Sequence, residues 1–202
     1  MTGIVLSLFI SVAGASELAK QDLIDAYGEE VASLGGQLQI EYQYKNKSRG
    51  AYTTRKGNIW RIVIGGSYLN KKDDGVLRVL LCHELGHHLG GKPYKFLGSG
   101  EHSWISAEGQ SDYFAGVECA KRLIHSEEHF IDSAEGFAQK MWSKNRKKDG
   151  PKPNRNQTSE LIARQTDLSH PEPQCRLDTL IAGYYCPEGQ DCRPRCWFKP
   201  SE

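Results

Sequence analysis

The residues with the clearest chemical promise are His83, Glu84 and His87 in Cys82-His83-Glu84-Leu85-Gly86-His87-His88. On a helix, side chains four positions apart leave from one face, so His83 and His87 can both bind one Zn²⁺. Glu84 then lies beside the metal, placed to take a proton from water rather than to ligate. His88, four residues after Glu84, could hydrogen-bond it, but such a histidine more often packs or faces solvent and is left out of the site.

Two histidines do not close a zinc site, and the third ligand must come from elsewhere. The metzincin pattern wants a histidine six residues after the second one. Gly90 fits that pattern, but Pro93 stands where the histidine should be, and proline cannot ligate. The alternative is a carboxylate from a second helix, in Glu108-Gly109-Gln110-Ser111-Asp112-Tyr113-Phe114-Ala115. Glu108 and Asp112 share a face, so Glu108 can be the third ligand while Asp112 accepts the other ring N–H of a ligand histidine. Glu101 and His102, in the intervening loop, are rival ligands but less well fixed.

These side chains need two helices to carry them. Val76, Leu77, Leu80, Leu81 and Leu85 form an apolar stripe for the first, with Asp73 and Asp74 at its start and Gly90-Gly91 as a stop. Tyr113, Phe114, Val117, Ala120, Leu123 and Ile124 give the second a core face. Residues 37–44 alternate strictly and read as a half-buried strand, after a helix over 17–33. Residues 45–57 read as a loop or weak hairpin, and Asn58 to Ile64 as a second clear strand. That strand leads into the metal helix and can border the cleft, where a peptide could add to its edge; simply covering the helix is its other reading. Residues 92–105 form a loop carrying Tyr94, Phe96 and Trp104 as part of the cleft wall. Ser126 caps a helix over 127–142, with His125 and His129 read as surface residues. Residues 143–157 read as a charged surface loop, 159–168 as a helix, and 173–185 as a last helix after Ser169-His170-Pro171. The fold expected is α+β: a mainly helical zincin-like domain, a small sheet beside the HExxH helix and a disulfide-stapled C-terminus.

The chain has 202 residues and a net charge of +1, which suits one domain and gives no support for nucleic-acid binding or membrane-surface attraction. Residues 4–14 are apolar but too short to span a bilayer, and Ala13-Gly14-Ala15 matches a small-x-small cleavage site. Residues 1–15 are therefore read as a signal peptide, although its positive n-region is missing, and 16–202 as one metallopeptidase domain. Within it the metal site spans 76–124, and the C-terminal helix and Cys-rich tail span 158–202. Six cysteines suit an oxidising compartment, periplasmic or extracellular, and up to three disulfides. A zinc knuckle from Cys175, Cys186, Cys192 and Cys196 lacks the paired CxxC spacing.

If Glu108 meets the metal near His87 while Asp112 supports His83, the two helices run antiparallel. Cys119 would then lie about 10 Å beyond Asp112, level with Val76. A disulfide needs Cα atoms within about 7 Å, so Cys82 and Cys119 are expected not to bond each other and to pair with the C-terminal set.

Three segments in order, Cys82–Gly91, Glu108–Ala115 and Ser169–Leu177, resemble the HtpX-like and CAAX-prenyl-endopeptidase-like zinc metallopeptidases of the gluzincin class. Ile62–Leu69 is similar to the strand and turn before that family's first motif. The resemblance covers roughly Ile59 to Leu180. It implies an endopeptidase with one zinc per chain, His170 as oxyanion donor and Arg176 as an organising or substrate-contacting residue. Many relatives are membrane-embedded. This chain resembles the soluble, exported, bacterial-type branch, with a peptide or protein substrate and no stable membrane insertion, and prenyl-protein processing is not implied. Two other readings stand beside it. One is a secreted zinc-binding module or inactive protease-like binding protein; the other is an intracellular metallopeptidase of the phage-repressor-cleaving kind. Sequence leaves the oligomeric state and cleavage preference open.

Overall fold

The apolar stripe of the HExxH helix needs a surface to pack on, and three strands help to supply it. In the computed structural model, which describes residues 14–45, 50–69, 74–96, 104–145 and 150–200, β1 (Gln37–Gln43), β2 (Ala51–Lys56) and β3 (Ile59–Gly65) form one sheet in the order β1-β3-β2. β1 runs parallel to β3 and β2 antiparallel to it. The β2–β3 hairpin turns at Gly57, whose φ of +58° suits glycine. Residues 45–57 thus contain a strand of the sheet, the hairpin side of their two readings.

β3 is the central strand, with a partner on each side. This corrects the expectation that the strand before the metal helix offers its edge to a peptide. β3's backbone groups already serve β1 and β2, and it is β2, the outermost strand on its side, that supplies Ala51, Tyr52 and Thr53 to the neighbouring cleft.

α1 (Ala15–Ser33) buries Ala19, Leu23, Tyr27 and Val31, one per turn, on its inner face. α2 (Gly75–Leu89) is buried along almost its whole length, and Arg78 anchors its first turn by ion pairs to Asp74 and Asp22 at 2.9 and 2.6 Å. α3 (Glu108–Phe114) continues through a π-helical turn (Ala115–Cys119) into α4 (Ala120–Leu123). α5 (Glu127–Asn145) begins after Ser126, whose hydroxyl accepts the His129 N–H at 3.3 Å. α6 is Pro173–Tyr185. The main core joins the sheet to α1, α2, α5 and α6, and a second cluster gathers Tyr113, Cys175, Cys186 and Trp197. The fold is α+β, with the small sheet beside the HExxH helix and disulfides at the C-terminus.

α2 and α3 run antiparallel and approach backbone to backbone. A Cβ on Gly86 would lie 2.7 Å from the Ser111 carbonyl oxygen, so the motif's glycine lets the two helices touch. From that contact Asp112 reaches back to His83, and Cys119 reaches Cys82.

Two expectations fail here. Cys82 and Cys119 are bonded, with Cα atoms 5.5 Å apart, and the C-terminal cysteines pair among themselves as Cys175–Cys196 and Cys186–Cys192. The expected offset treated 108–124 as one regular α-helix hung from long carboxylate side chains. The backbones actually pivot at Gly86 and Ser111, and the π-helical turn ahead of Cys119 breaks the α-helical advance along the axis. The second failure is the helix over 159–168, which is extended coil. Its backbone is claimed by the tail: the Ala163 N–H donates to the Arg195 carbonyl at 2.8 Å and the Asp167 N–H to the Trp197 carbonyl at 2.7 Å. Leu161 and Ile162, the apolar residues that would anchor a helix, are exposed.

Among the described residues, no helix is long and apolar enough to cross a membrane. The expected leader, 1–15, lies outside the described residues except for Gly14 and Ala15, and Glu101, His102 and Asp73 also lie outside them.

Candidate metal centre

His83 and His87 leave α2 one turn apart, with ring centroids 4.7 Å apart, and face Glu108 at the start of α3. Glu108 Oε2 lies 3.2 Å from His83 Nε2, and Oε1 lies 3.6 Å from His87 Nε2. One ligand atom from each of the three residues can be taken within 4.8 Å of the others, so the group could hold a metal ion. All three residues are buried. Two imidazoles and one carboxylate are a donor set that zinc and other divalent transition metals such as iron accept.

The outer nitrogen of each ring is also held. His83 Nδ1 lies 2.7 Å from Asp112 Oδ1, and Asp112 in turn receives both Nε and Nη2 of Arg176 at 2.7 and 2.9 Å. His87 Nδ1 sits 2.8 Å from the Ser106 carbonyl oxygen and 2.7 Å from Ser111 Oγ. Such partners fix ring orientation and leave Nε2 of both rings directed at Glu108.

The charge balance follows from these contacts. Burial works against a charged His83, but Asp112 and Glu108 outweigh it and raise its pKa to about 9. Burial, with the His83 charge, drives His87 down to about 3, leaving it neutral. Burial pushes the Glu108 and Asp112 carboxyls upward, yet His83 and Arg176 hold both below their ordinary values. Glu84 differs: burial is the largest influence and lifts its carboxyl to about 7, with the His83 charge opposing. Glu84 Oε2 is buried without a hydrogen-bond partner among the described residues.

His83, Glu84, His87 and Glu108 line a cleft of about 730 Å³. Ala51, Tyr52 and Thr53 of β2 line it too, as do Phe137 and Met141 of α5. The segment His170-Pro171-Glu172-Pro173 also borders it. His170 comes from the far end of the chain, 71% exposed, with Nε2 3.3 Å from Glu108 Oε1. Partial desolvation by the cleft wall lowers its pKa, against the nearby Glu108 charge. Arg176, in the first turn of α6, is buried, is fixed on Asp112 and also lines the cleft, which leaves both of its expected roles open.

His88 turns away from Glu84. Its ring stacks between Trp60 and Trp104, with centroids at 5.3 and 5.1 Å, and its Nδ1 accepts Arg55 Nε at 3.1 Å. Thr53 Oγ1 meets its other nitrogen. The effect is to tie edge strand β2 to α2.

Three residues at the centre escape the sequence reading: Lys95, with Nζ 2.5 Å from Glu108 Oε1, Ser106 and Ser111. Ser111 carried a usable signal, because it lies three residues after Glu108 on the same helical face. Lys95 and Ser106 sit in non-periodic chain joined by the isolated Tyr94–Ser106 bridge, where spacing says nothing. No protein-family model, curated protein or solved structure matches the chain.

Proposed function

We propose that this chain is a zinc-dependent endopeptidase, similar to the soluble, exported branch of the HtpX-like gluzincins, hydrolysing peptide bonds with Glu84 as general base. The observation that carries the reading is Glu84 itself. It is buried on the cleft wall, next to ligand His83, with Oε2 unpartnered among the described residues and its carboxyl raised to about 7. A structural metal site has no use for such a group, whereas a general base near its working pH does.

His83, His87 and Glu108 would hold the zinc. When bound there, a zinc ion polarises the scissile carbonyl and makes water acidic enough to be deprotonated near neutral pH. Asp112, Ser106 and Ser111 keep the two imidazoles in register, and Arg176 compensates Asp112. An extended substrate can pair with the outer edge of β2, whose residues Ala51 to Thr53 line the cleft. Glu84 accepts a proton from the attacking water and returns it to the leaving amine. His170, at the cleft mouth, can donate to the oxygen on which negative charge develops. The three disulfides support an exported location, as does the apolar composition of residues 4–14.

Digestion of a peptide library by the purified chain tests the reading. Cleavage that is lost on chelation, restored by zinc and absent in Glu84→Gln supports it. Cleavage by Glu84→Gln at the wild-type rate refutes it.

A further inference from the structure

Glu108 is met by two permanent cations, Lys95 and Arg176, as well as by three histidines. Its Oε2 faces His83 and, at 3.8 Å, Arg176 Nη2. Its Oε1 faces His170 and His87 and, closest of all, the ammonium of Lys95 at 2.5 Å. Lys95 is no loose surface lysine. Its N–H donates to the Ile105 carbonyl and the Ala107 N–H donates to the Pro93 carbonyl, both at 2.8 Å. The backbone that carries Lys95 is thereby paired with the segment that leads into Glu108. The side chain is 27% exposed and lines the cleft with Glu84 and His170.

An ammonium beside a divalent metal site repels the bare ion, so orienting Glu108 is an unsatisfying account of it. The same charge becomes favourable when the centre takes on negative charge, and an interaction stronger at that stage than before it is what accelerates a reaction. We propose that Lys95 is an anion-receiving residue of the centre. Its ammonium turns from Glu108 Oε1 to the negative charge that builds on the substrate's carbonyl oxygen, with His170 beside it. Lys95 transfers no proton in this role. The inference rests on the peptidase reading above and adds to it a residue that favours anionic groups in the cleft.

The two roles open to Lys95 differ in sign. A residue that only orients Glu108 strengthens metal binding, and its loss weakens affinity about 10–100-fold. An anion-receiving cation does the opposite to the bare metal. The test uses the full chain as wild type, Lys95→Met and Lys95→Arg. Zinc affinity is measured by competition with a chromogenic chelator, and inorganic phosphate is then titrated into the zinc-loaded proteins. Lys95→Met is expected to bind zinc about 10-fold more tightly and phosphate at least about 10-fold more weakly, with Lys95→Arg recovering phosphate binding. Zinc binding that weakens in Lys95→Met, or phosphate binding that does not change, overturns the proposal. Failure of the wild type to bind zinc would instead bring down the peptidase reading on which it rests.

Discussion

The helix pair α2–α3 and the C-terminal segment 150–200 both reach Glu108, the first from its own backbone and the second through His170 and Arg176. They are held by different means. The helix pair is built from regular periodic structure, a backbone contact at Gly86 and a bridge between Cys82 and Cys119. The C-terminal segment is regular only in α6. It is otherwise coil, kept in place by Cys175–Cys196, Cys186–Cys192 and the fully buried Trp197. A centre assembled this way takes its ligands from the part of the chain whose geometry is local, and its outer groups from the part that is stapled on.

The most damaging way to separate the two regions is at Arg176. Removing one member of a buried, hydrogen-bonded ion pair costs about 3–5 kcal/mol, and here it leaves His83 as the remaining partner of Asp112. Arg176→Met should therefore lower unfolding free energy by about that amount. Chemical denaturation monitored by circular dichroism checks this, and a loss within error of zero would show that α6 does not brace α3.

The disulfides sharpen the comparison next. On the loop-closure account, removing Cys175–Cys196 by paired alanine substitutions should cost about 3 kcal/mol, and removing Cys186–Cys192, which closes a much shorter loop, about 2 kcal/mol. Zinc affinity should stay near wild type in both, because His83, His87 and Glu108 lie on the helix pair. Thermal melts and chelator competition on the two variants would reveal either a reversed order or a loss of metal.

Ser111→Ala gives the smallest effect. It removes one of two partners of His87 Nδ1 while Ser106 keeps the other, so zinc affinity should fall by about tenfold, the low end for a group that orients a metal ligand. Chelator competition reads it directly, and an unchanged affinity would mean that the Ser106 carbonyl alone sets the ring.

The same contrast explains what was legible in the sequence. His83, Glu84 and His87 could be read from spacing, as could Glu108 with Asp112, because helical periodicity converts spacing into direction. The fold class followed from the same periodicity. The Cys82–Cys119 bridge was misjudged because a π-helical turn leaves no mark in apolar spacing that a regular helix would not also leave. The helix expected over 159–168 was displaced by hydrogen bonds to Arg195 and Trp197, some thirty residues away, which no local pattern announces. The edge strand was assigned to β3 rather than β2 for a related reason: which strand ends up outermost is decided by pairing, and β2's polar, basic sequence hides its membership of the sheet. His170 carried no periodic signal either, and entered only through a family resemblance.

The central claim is that His83, His87 and Glu108 bind one metal ion while Glu84 stays free to act as base. Metal content after dialysis, measured by plasma mass spectrometry on the wild type, His87→Ala and Glu84→Gln, tests it most directly. The account predicts one zinc per chain in the wild type, little or none in His87→Ala and one in Glu84→Gln. A wild type that retains no metal, or a Glu84→Gln variant as empty as His87→Ala, would contradict it.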